Sequence, residues 1–407
     1  MTTKLEIILK YASENNAFYS KIVSEHKIAC PTNISQYPIV TKEMLQSEKN
    51  SLLSPEYSVK SLTNYLYKLS SSGTSGIPIE TLWDPDQYGV SMLCLWRRRK
   101  KYYNISPYDK HIDFMLKYYN NLPDNKLTYR VNNNNEISVN RLNLDCAEIM
   151  EELLFLMSDY KPVWLQLSPS VMEIIANYCY THNKTLPKSI KYVEFMSECL
   201  TPLVRKQTKD LLPFAIISNM YGSEEMNTIA YECPCGKMHV ISENVFAECY
   251  DGNNIIPYGK GEIILTNLHN KVNPLIRYKQ GDRVTLDPQT KCSCGYTDKI
   301  ITELSGRVAS FATINGKKLS TCDISDIMLI ITNKYGHPIK RYKFVYDTVS
   351  NKITCYTLFN DLFINWHREI WNMIRTLFEN KYGNVNINFI MGDYDKNKYK
   401  HDLFVVK

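Results

Sequence analysis

Seven consecutive residues, Ser70 to Gly76, carry five hydroxyls and two glycines in a chain of 407 residues that has only 15 glycines. Unpaired backbone N–H groups, small side chains and permissive dihedrals are what a phosphate group needs in a cradle. The stretch is not a Walker loop. The G-K-[ST] ending is missing, and Ile77 and Ile79 stand where a lysine would be wanted. A flexible Ser/Gly linker has the same composition, so the loop acquires meaning only from what accompanies it.

The second group of chemistry-bearing residues is metal-like. Cys233-Pro-Cys235-Gly and Cys292-Ser-Cys294-Gly are two knuckle-type turns, and His239 follows the first closely. Paired C-x-C-G turns in one β-rich region suggest a structural Zn²⁺ held by soft thiolates. Five candidates, Cys233, Cys235, His239, Cys292 and Cys294, compete for four positions, with Cys235 favoured over His239 by the symmetry of the two turns. Most of the 12 cysteines are isolated, which argues against a secreted disulfide scaffold and makes a reducing cytoplasm the expected location.

The elements that must position these residues are legible from 143 to 221. LDCAEIMEELLFLMSD is an amphipathic helix and KPVWLQLS a strand. SPSVMEIIANYCYTH is a helix with Ser168 as N-cap and Pro169 in its first position. SIKYVEFMS is a strand, TPLVRKQTKDLL a helix capped by Thr201, and FAIISNMYG a strand. Alternation with short connections predicts a parallel sheet covered by helices on both faces, with ligands at the carboxyl ends of its strands. Two of those ends are Met196–Glu198 and Asn219–Glu225. Residues 229–300 change to short strands and turns, a β-rich subdomain, and 312–407 reads as a small α+β unit.

Composition narrows the function classes. Hydrophobic residues make up 44% and charged residues 22%, an ordinary globular balance, and the net charge of +6 is diffuse. The one dense basic run, WRRRKKYY at 96–103, follows an apolar helical stretch and reads as a solvated helix end, so no nucleic acid is expected as a partner. No apolar run reaches about 18 residues, so no membrane span is expected, and the amphipathic start has no signal-peptide core.

Four stretches occur in one order: SSGTSGIP (71–78), YGSEE (221–225), RYKQGD (277–282) and SGR (305–307). Order and rough spacing resemble the adenylate-forming superfamily of acyl-CoA ligases, peptide-synthetase adenylation domains and luciferases. ECPCGKMHVISENVFAE, GKGEIILTNLHNKVNPLIRYKQGD and CSCG resemble its phenylacetate-CoA ligase-like branch. The resemblance spans roughly 35 to 405, and any one stretch alone would be weak.

This resemblance implies a large α/β domain over 1–306, with parallel sheets covered by helices and a zinc-bearing β-rich subdomain at 229–300. A small mobile α+β lid would follow at 307–407. It further implies that Ser71, Ser72, Gly73, Thr74, Ser75 and Gly76 hold the β- and γ-phosphates of ATP. Tyr221 and Gly222 would pack on adenine, and Glu225 would help hold Mg²⁺. Asp282 would accept both ribose hydroxyls, Arg307 would reach the nucleotide from the hinge, and Ser197 and Glu198 would line the acyl and adenine pockets. Zinc-bearing members of the branch favour His239 as the fourth ligand. Lys398 aligns best with the catalytic lysine of the small domain, with Lys400 and Lys396 as rivals.

The implied reaction converts a small carboxylic acid, aryl or arylacetic, to acyl-AMP and then to a thioester on CoA or on the phosphopantetheine of an acyl carrier protein. Catabolic and natural-product roles both fit, the short chain and altered hinge favouring the latter. The oligomeric state stays open, a dimer among the options. Two departures stand out: Ile77 replaces the loop's usual lysine, and Ala309 and Ser310 replace the usual hinge acid. These leave room for an inactive nucleotide-binding homologue, with a zinc-ribbon nucleic-acid binder as the remote alternative.

Overall fold

The computed structural model describes residues 2–48, 51–70, 79–116, 126–142, 144–288, 292–307, 311–392 and 403–407. The chain divides into two compact units, Met1–Ser106 with Ser218–Gly306, and Pro107–Ile217 with Arg307–Lys407. No helix among the described residues is long and apolar enough to cross a membrane.

The first unit is built on a sheet whose described strands run, edge inward, Ile255–Ile256, Val245–Tyr250, Gly259–Asn267, Tyr278–Asp287, Ile300–Arg307, Met238–Val240, Asn227–Glu232 and Ile216–Ser223. One face packs on helices Lys4–Asn15 and Ala17–Glu25 through Leu9, Ala12, Phe18, Tyr19 and Ile22. The first helix starts where it does because Thr3 and Glu6 close a reciprocal capping box.

The segment leading into strand Tyr278–Asp287 is held from several directions. Arg277 has φ 50°, a left-handed backbone that costs a side-chain-bearing residue free energy. Its guanidinium forks onto Glu248, Nε to Oε2 at 3.0 Å and Nη2 to Oε1 at 2.7 Å, with both side chains more than nine-tenths buried. Nη1 also donates to the carbonyls of Ser35 and Tyr37. Val40 bridges the same stretch, donating to the Arg277 carbonyl and accepting from the Lys279 amide, while the Tyr19 hydroxyl takes the Ile276 amide. The strand therefore leaves this anchor with one direction and one register.

The second unit holds a five-stranded sheet in the order Tyr192–Phe195, Trp164–Leu167, His111–Leu116, Glu136–Asn140, Tyr129–Asn133. Its first four strands pair in parallel, as the strand–helix alternation predicts, and the edge strand is antiparallel. Helices Ala147–Tyr160, Pro169–His182 and Pro202–Leu211 carry the apolar stripes that cover it, Met150, Leu153, Met172, Ile175 and Val204 among them. Thr201 caps the last of these, taking the Val204 amide.

The C-terminal module of this unit has a four-stranded sheet, Asn386–Met391, Lys352–Phe359, Ile339–Asp347 and Phe404–Val406, with helices Thr321–Tyr335 and His367–Tyr382. Ser320 and Asp323 form the capping box of the first helix. Leu203 joins the module's core, and Asn177 donates to the Lys340 carbonyl at 2.6 Å.

Arg277→Met removes the cation and leaves Glu248 buried, so the expected loss is about 3–5 kcal/mol of unfolding free energy. The double variant Arg277→Met/Glu248→Leu recovers part of it, because no unpaired charge then remains buried. Urea unfolding midpoints at unchanged slope check this; a single variant as stable as the parent would refute the anchoring role.

Candidate functional site

Strand Ile216–Ser223 ends in the YGSEE stretch and turns sharply back into Asn227–Glu232. Glycine is required at 222, because a Cβ there would lie 2.4 Å from the Asn227 carbonyl oxygen. The turn is pinned by Trp83, whose indole N–H donates to the Glu224 carbonyl at 3.1 Å, and by Asn267, which donates to the Glu225 carbonyl at 3.2 Å. Glu225 itself is buried.

Sixty-one positions later in sequence, Asp282 meets this turn. The Tyr221 hydroxyl donates to Asp282 Oδ2 at 2.7 Å. Gln280 Nε2 donates to the same oxygen at 2.8 Å and to the Tyr221 hydroxyl at 3.0 Å, and its Oε1 accepts from Ser223 Oγ. Gln280 and Asp282 are two residues apart on one strand, so their side chains share a face. The result is a carboxylate with a fixed rotamer, and Oδ1 takes no hydrogen bond among the described residues. Such a group is an acceptor for hydroxyl donors. Gln280 and Ser223 lie inside the same ordered stretches as Asp282 and Tyr221, and the two-residue strand spacing is the sequence signal that puts Gln280 beside Asp282.

Ser197 and Glu198 lie in the second unit, just beyond strand Tyr192–Phe195. Ser197 has φ 71°, an uncommon backbone for serine. The Glu198 carboxylate accepts from the Ser170 amide and hydroxyl, both at 3.0 Å. Ser168 occupies the N-cap position of helix Pro169–His182 as predicted, but its side chain makes no capping hydrogen bond. Glu198 serves that helix start instead, where an anion is favoured. Ser71, Ser72, Gly73, Thr74, Ser75, Gly76 and Lys398 lie outside the described residues, and Arg307 is described as strand backbone only.

The cysteine turns form a separate centre. In both, the glycine amide folds back onto the first cysteine, Gly236 to the Cys233 carbonyl at 2.8 Å and Gly295 to the Cys292 carbonyl at 3.0 Å. Both glycines have left-handed φ, 70° and 82°. His239 faces these turns from strand Met238–Val240. Ligand atoms of Cys233, His239, Cys292 and Cys294 all lie within 4.8 Å of one another. Cys235 is outside this group. It is exposed, with its sulfur 3.0 Å from Ser293 Oγ, and His239 is the fourth member of the geometric group.

The spacing suits a metal. Tetrahedral zinc with Zn–S of about 2.3 Å and Zn–N of about 2.0 Å gives edges of about 3.8 Å between sulfurs and about 3.5 Å between sulfur and nitrogen. Cys233 and Cys292 sulfurs are 3.8 Å apart, and Cys294 Sγ is 3.3 Å from His239 Nε2. Burial lowers the His239 pKa, so the imidazole keeps a lone pair at neutral pH. Burial opposes ionisation of Cys294, but the Tyr102 hydroxyl, 3.5 Å from its sulfur, and neighbouring thiols outweigh it and hold it below the usual thiol range. A third group, His111, Asp113 and Glu136, also clusters in the second unit. There Asp113 is already engaged by the Ser138 hydroxyl at 2.6 Å and the Met115 amide.

The basic run departs from expectation. It ends helix Pro85–Tyr103, but Arg98 and Arg99 are buried at 0% and 2% exposure rather than solvated. Arg98 pairs with Glu243 at 2.7 Å and Asp298 at 3.1 Å and lies over the Tyr296 ring, next to the cysteine turns. Charge composition alone cannot distinguish this from a surface run, because the two carboxylates come from 145 and 200 residues away.

No protein-family model matches the chain. A curated relative, Protein CapK of Staphylococcus aureus, is 22% identical over 367 residues, covering 88% of this chain and 78% of its own length. Among solved structures, 2-hydroxyisobutyryl-CoA ligase in the postadenylation state, in complex with R3-HIB-AMP, superposes with TM-score 0.75 at 15% identity, covering 99% of this chain and 88% of that one. An anthranilate CoA ligase in complex with anthranoyl-AMP gives TM-score 0.57 at 13% identity, over 83% of this chain and 65% of the other. An adenylation–carrier fragment, McyG A-PCP with phenylalanyl-adenylate, gives 0.55 at 11% identity over 83% and 64%. The chain therefore has the fold of the adenylate-forming enzymes, acyl-CoA ligases and adenylation domains among them.

Proposed function

We propose that this chain is an AMP-forming acid–thiol ligase acting on a small carboxylic acid, aryl or arylacetic by the branch it resembles. The observation that carries the reading is the 2.7 Å hydrogen bond from Tyr221 to Asp282. It joins the two stretches to which the resemblance assigns adenine and ribose. The likeness in fold to CoA ligases solved with acyl-AMP supports the same reading.

In the first step a carboxylate oxygen of the acid attacks the α-phosphorus of ATP, and the bond to the bridging β-phosphate oxygen breaks, releasing pyrophosphate. Asp282, its rotamer held by Gln280 and Tyr221, accepts from the ribose hydroxyls. Tyr221 and Gly222 receive the adenine. Glu225 offers a hard oxygen ligand for Mg²⁺, whose contribution when bound is to offset charge on the departing phosphates. By the same resemblance the loop Ser71–Gly76 would hold those phosphates, and Lys398 and Arg307 would act on the reacting groups. In the second step the thiol sulfur of CoA or of a carrier phosphopantetheine attacks the acyl carbon, and AMP leaves with the C–O electron pair. Positioning and charge stabilisation account for most of the catalysis. Cys233, His239, Cys292 and Cys294 would hold a Zn²⁺ whose role is structural.

The direct test is ATP–pyrophosphate exchange across a panel of carboxylic acids. Acid-dependent exchange is expected with at least one aryl or arylacetic acid, and ATP binding without exchange for any acid would indicate an inactive homologue. Asp282→Ala removes a charge-assisted acceptor worth about 1.5–3 kcal/mol, so ATP affinity should fall about tenfold or more by calorimetry. Unchanged binding in a folded variant would overturn the ribose assignment.

For the metal, elemental analysis of protein prepared without chelator should find about one zinc per chain, since such sites contribute folding energy directly. Cys292→Ser should lower both zinc content and melting temperature, whereas Cys235→Ser should leave the zinc in place. Retention of full zinc by Cys292→Ser, or its loss from Cys235→Ser, would refute the ligand set.

A further inference from the structure

Outside the metal-like cluster two more cysteines meet. Cys199 follows Ser197 and Glu198 at the end of strand Tyr192–Phe195, and Cys322 is the second residue of helix Thr321–Tyr335 in the C-terminal module. Their sulfurs are 3.7 Å apart across 123 positions of sequence, and both residues are exposed. The buried cysteines Cys94, Cys179 and Cys355 are out of reach of a dissolved oxidant.

We propose that Cys199 and Cys322 are a modification site, oxidised reversibly to a disulfide that staples the C-terminal module to the loop carrying Ser197 and Glu198. The geometry needs little change: a short movement of two exposed side chains brings van der Waals contact to bonding distance. The two sulfurs are also chemically unequal. The neighbouring Cys322 sulfur pushes the Cys199 thiol up, while the Cys199 thiol beside it holds Cys322 below the usual thiol range. Cys322 lies in the first turn of its helix, where the backbone dipole favours a thiolate.

The oxidant is a low-molecular-weight disulfide. The Cys322 thiolate attacks one of its sulfurs and expels a small thiolate, leaving a mixed disulfide on Cys322. Cys199 then loses its proton, attacks the Cys322 sulfur and expels the second small thiolate. Two protein thiols are oxidised and one small disulfide is reduced to two thiols. A reducing dithiol reverses both steps.

The consequence rests on the ligase reading given above and on the mobility that the resemblance implies for the C-terminal lid, taken to bring Lys398 up for the first step and to withdraw it for the second. A covalent tether between Cys199 and Cys322 holds it in one arrangement, so the oxidised chain loses the complete cycle. The same module is otherwise joined to this part of the unit by reversible contacts such as Asn177 to the Lys340 carbonyl, Thr181 to Asn360 and Tyr180 stacked on His337.

The experiment uses the full, zinc-replete chain, reduced and then exposed to bis(2-hydroxyethyl) disulfide. Non-reducing peptide mapping by mass spectrometry is expected to find a Cys199–Cys322 linked peptide in most molecules, removed by dithiothreitol. Cys199→Ser should instead accumulate a mixed disulfide on Cys322. Mixed adducts on both cysteines of the parent without a cross-link, or cross-linking elsewhere first, would overturn the site. In the same samples thioester-forming turnover should be mostly lost on oxidation, restored by dithiothreitol, and insensitive in Cys199→Ser. A mapped cross-link with unchanged turnover would overturn the switch. Absence of exchange activity in the reduced chain would instead be a failure of the ligase reading, and the peptide map would still decide the disulfide.

Discussion

The buried fork between Arg277 and Glu248 is the constraint on which the first unit depends. Arg277 sits in a left-handed backbone that few side chains accept. Five donor–acceptor contacts around it offset that strain: two to Glu248, two to the carbonyls of Ser35 and Tyr37, and its own amide to Thr266. An arginine is needed because a lysine ammonium cannot fork onto both carboxylate oxygens and still reach two carbonyls. From this anchor the chain runs straight into Gln280 and Asp282. The precision of the Tyr221–Asp282 contact is therefore set a few residues earlier, by a pair that touches neither residue.

The cysteine centre depends on a comparable arrangement. Two turns of the same type place their first cysteines 3.8 Å apart, and a strand residue, His239, supplies the imidazole. Around them helix Pro85–Tyr103 contributes the Tyr102 hydroxyl and the Arg98 guanidinium, which rests on Tyr296. Arg98 is fully buried, but it is paired with two carboxylates, the condition under which a buried cation is tolerated. The centre thus ties a long N-terminal helix to the β-ribbon that follows strand Asn227–Glu232.

In the second unit the loop after Tyr192–Phe195 does several things at once. Ser197 adopts a strained backbone, Glu198 serves the start of the neighbouring helix, and Cys199 meets the C-terminal module. Three adjacent residues therefore connect the sheet, a helix terminus and the module. In the ligase reading this is also the strand end that lines the acyl and adenine pockets. A redox event at the third residue would act on the first two through the backbone they share.

Local features were readable from the amino-acid order alone. The helix start at Thr201, the strand–helix alternation through 221, the parallel pairing it demands and the α+β character of the C-terminal module follow from periodicity and capping, which operate over a few residues. The ordered stretches around Tyr221 and Asp282 were equally legible, because each is a contiguous run. Features that join residues far apart in sequence came only with the fold. That His239 rather than Cys235 groups with the other three ligand atoms depends on which side of the turn faces the other knuckle. The burial of Arg98 required carboxylates that arrive from distant segments. Glu198 rather than Ser168 serves a helix start because a loop 28 residues away folds over it. In each case the competing readings have the same local chemistry, and only long-range sheet register and chain crossing set which group has a partner within hydrogen-bonding distance.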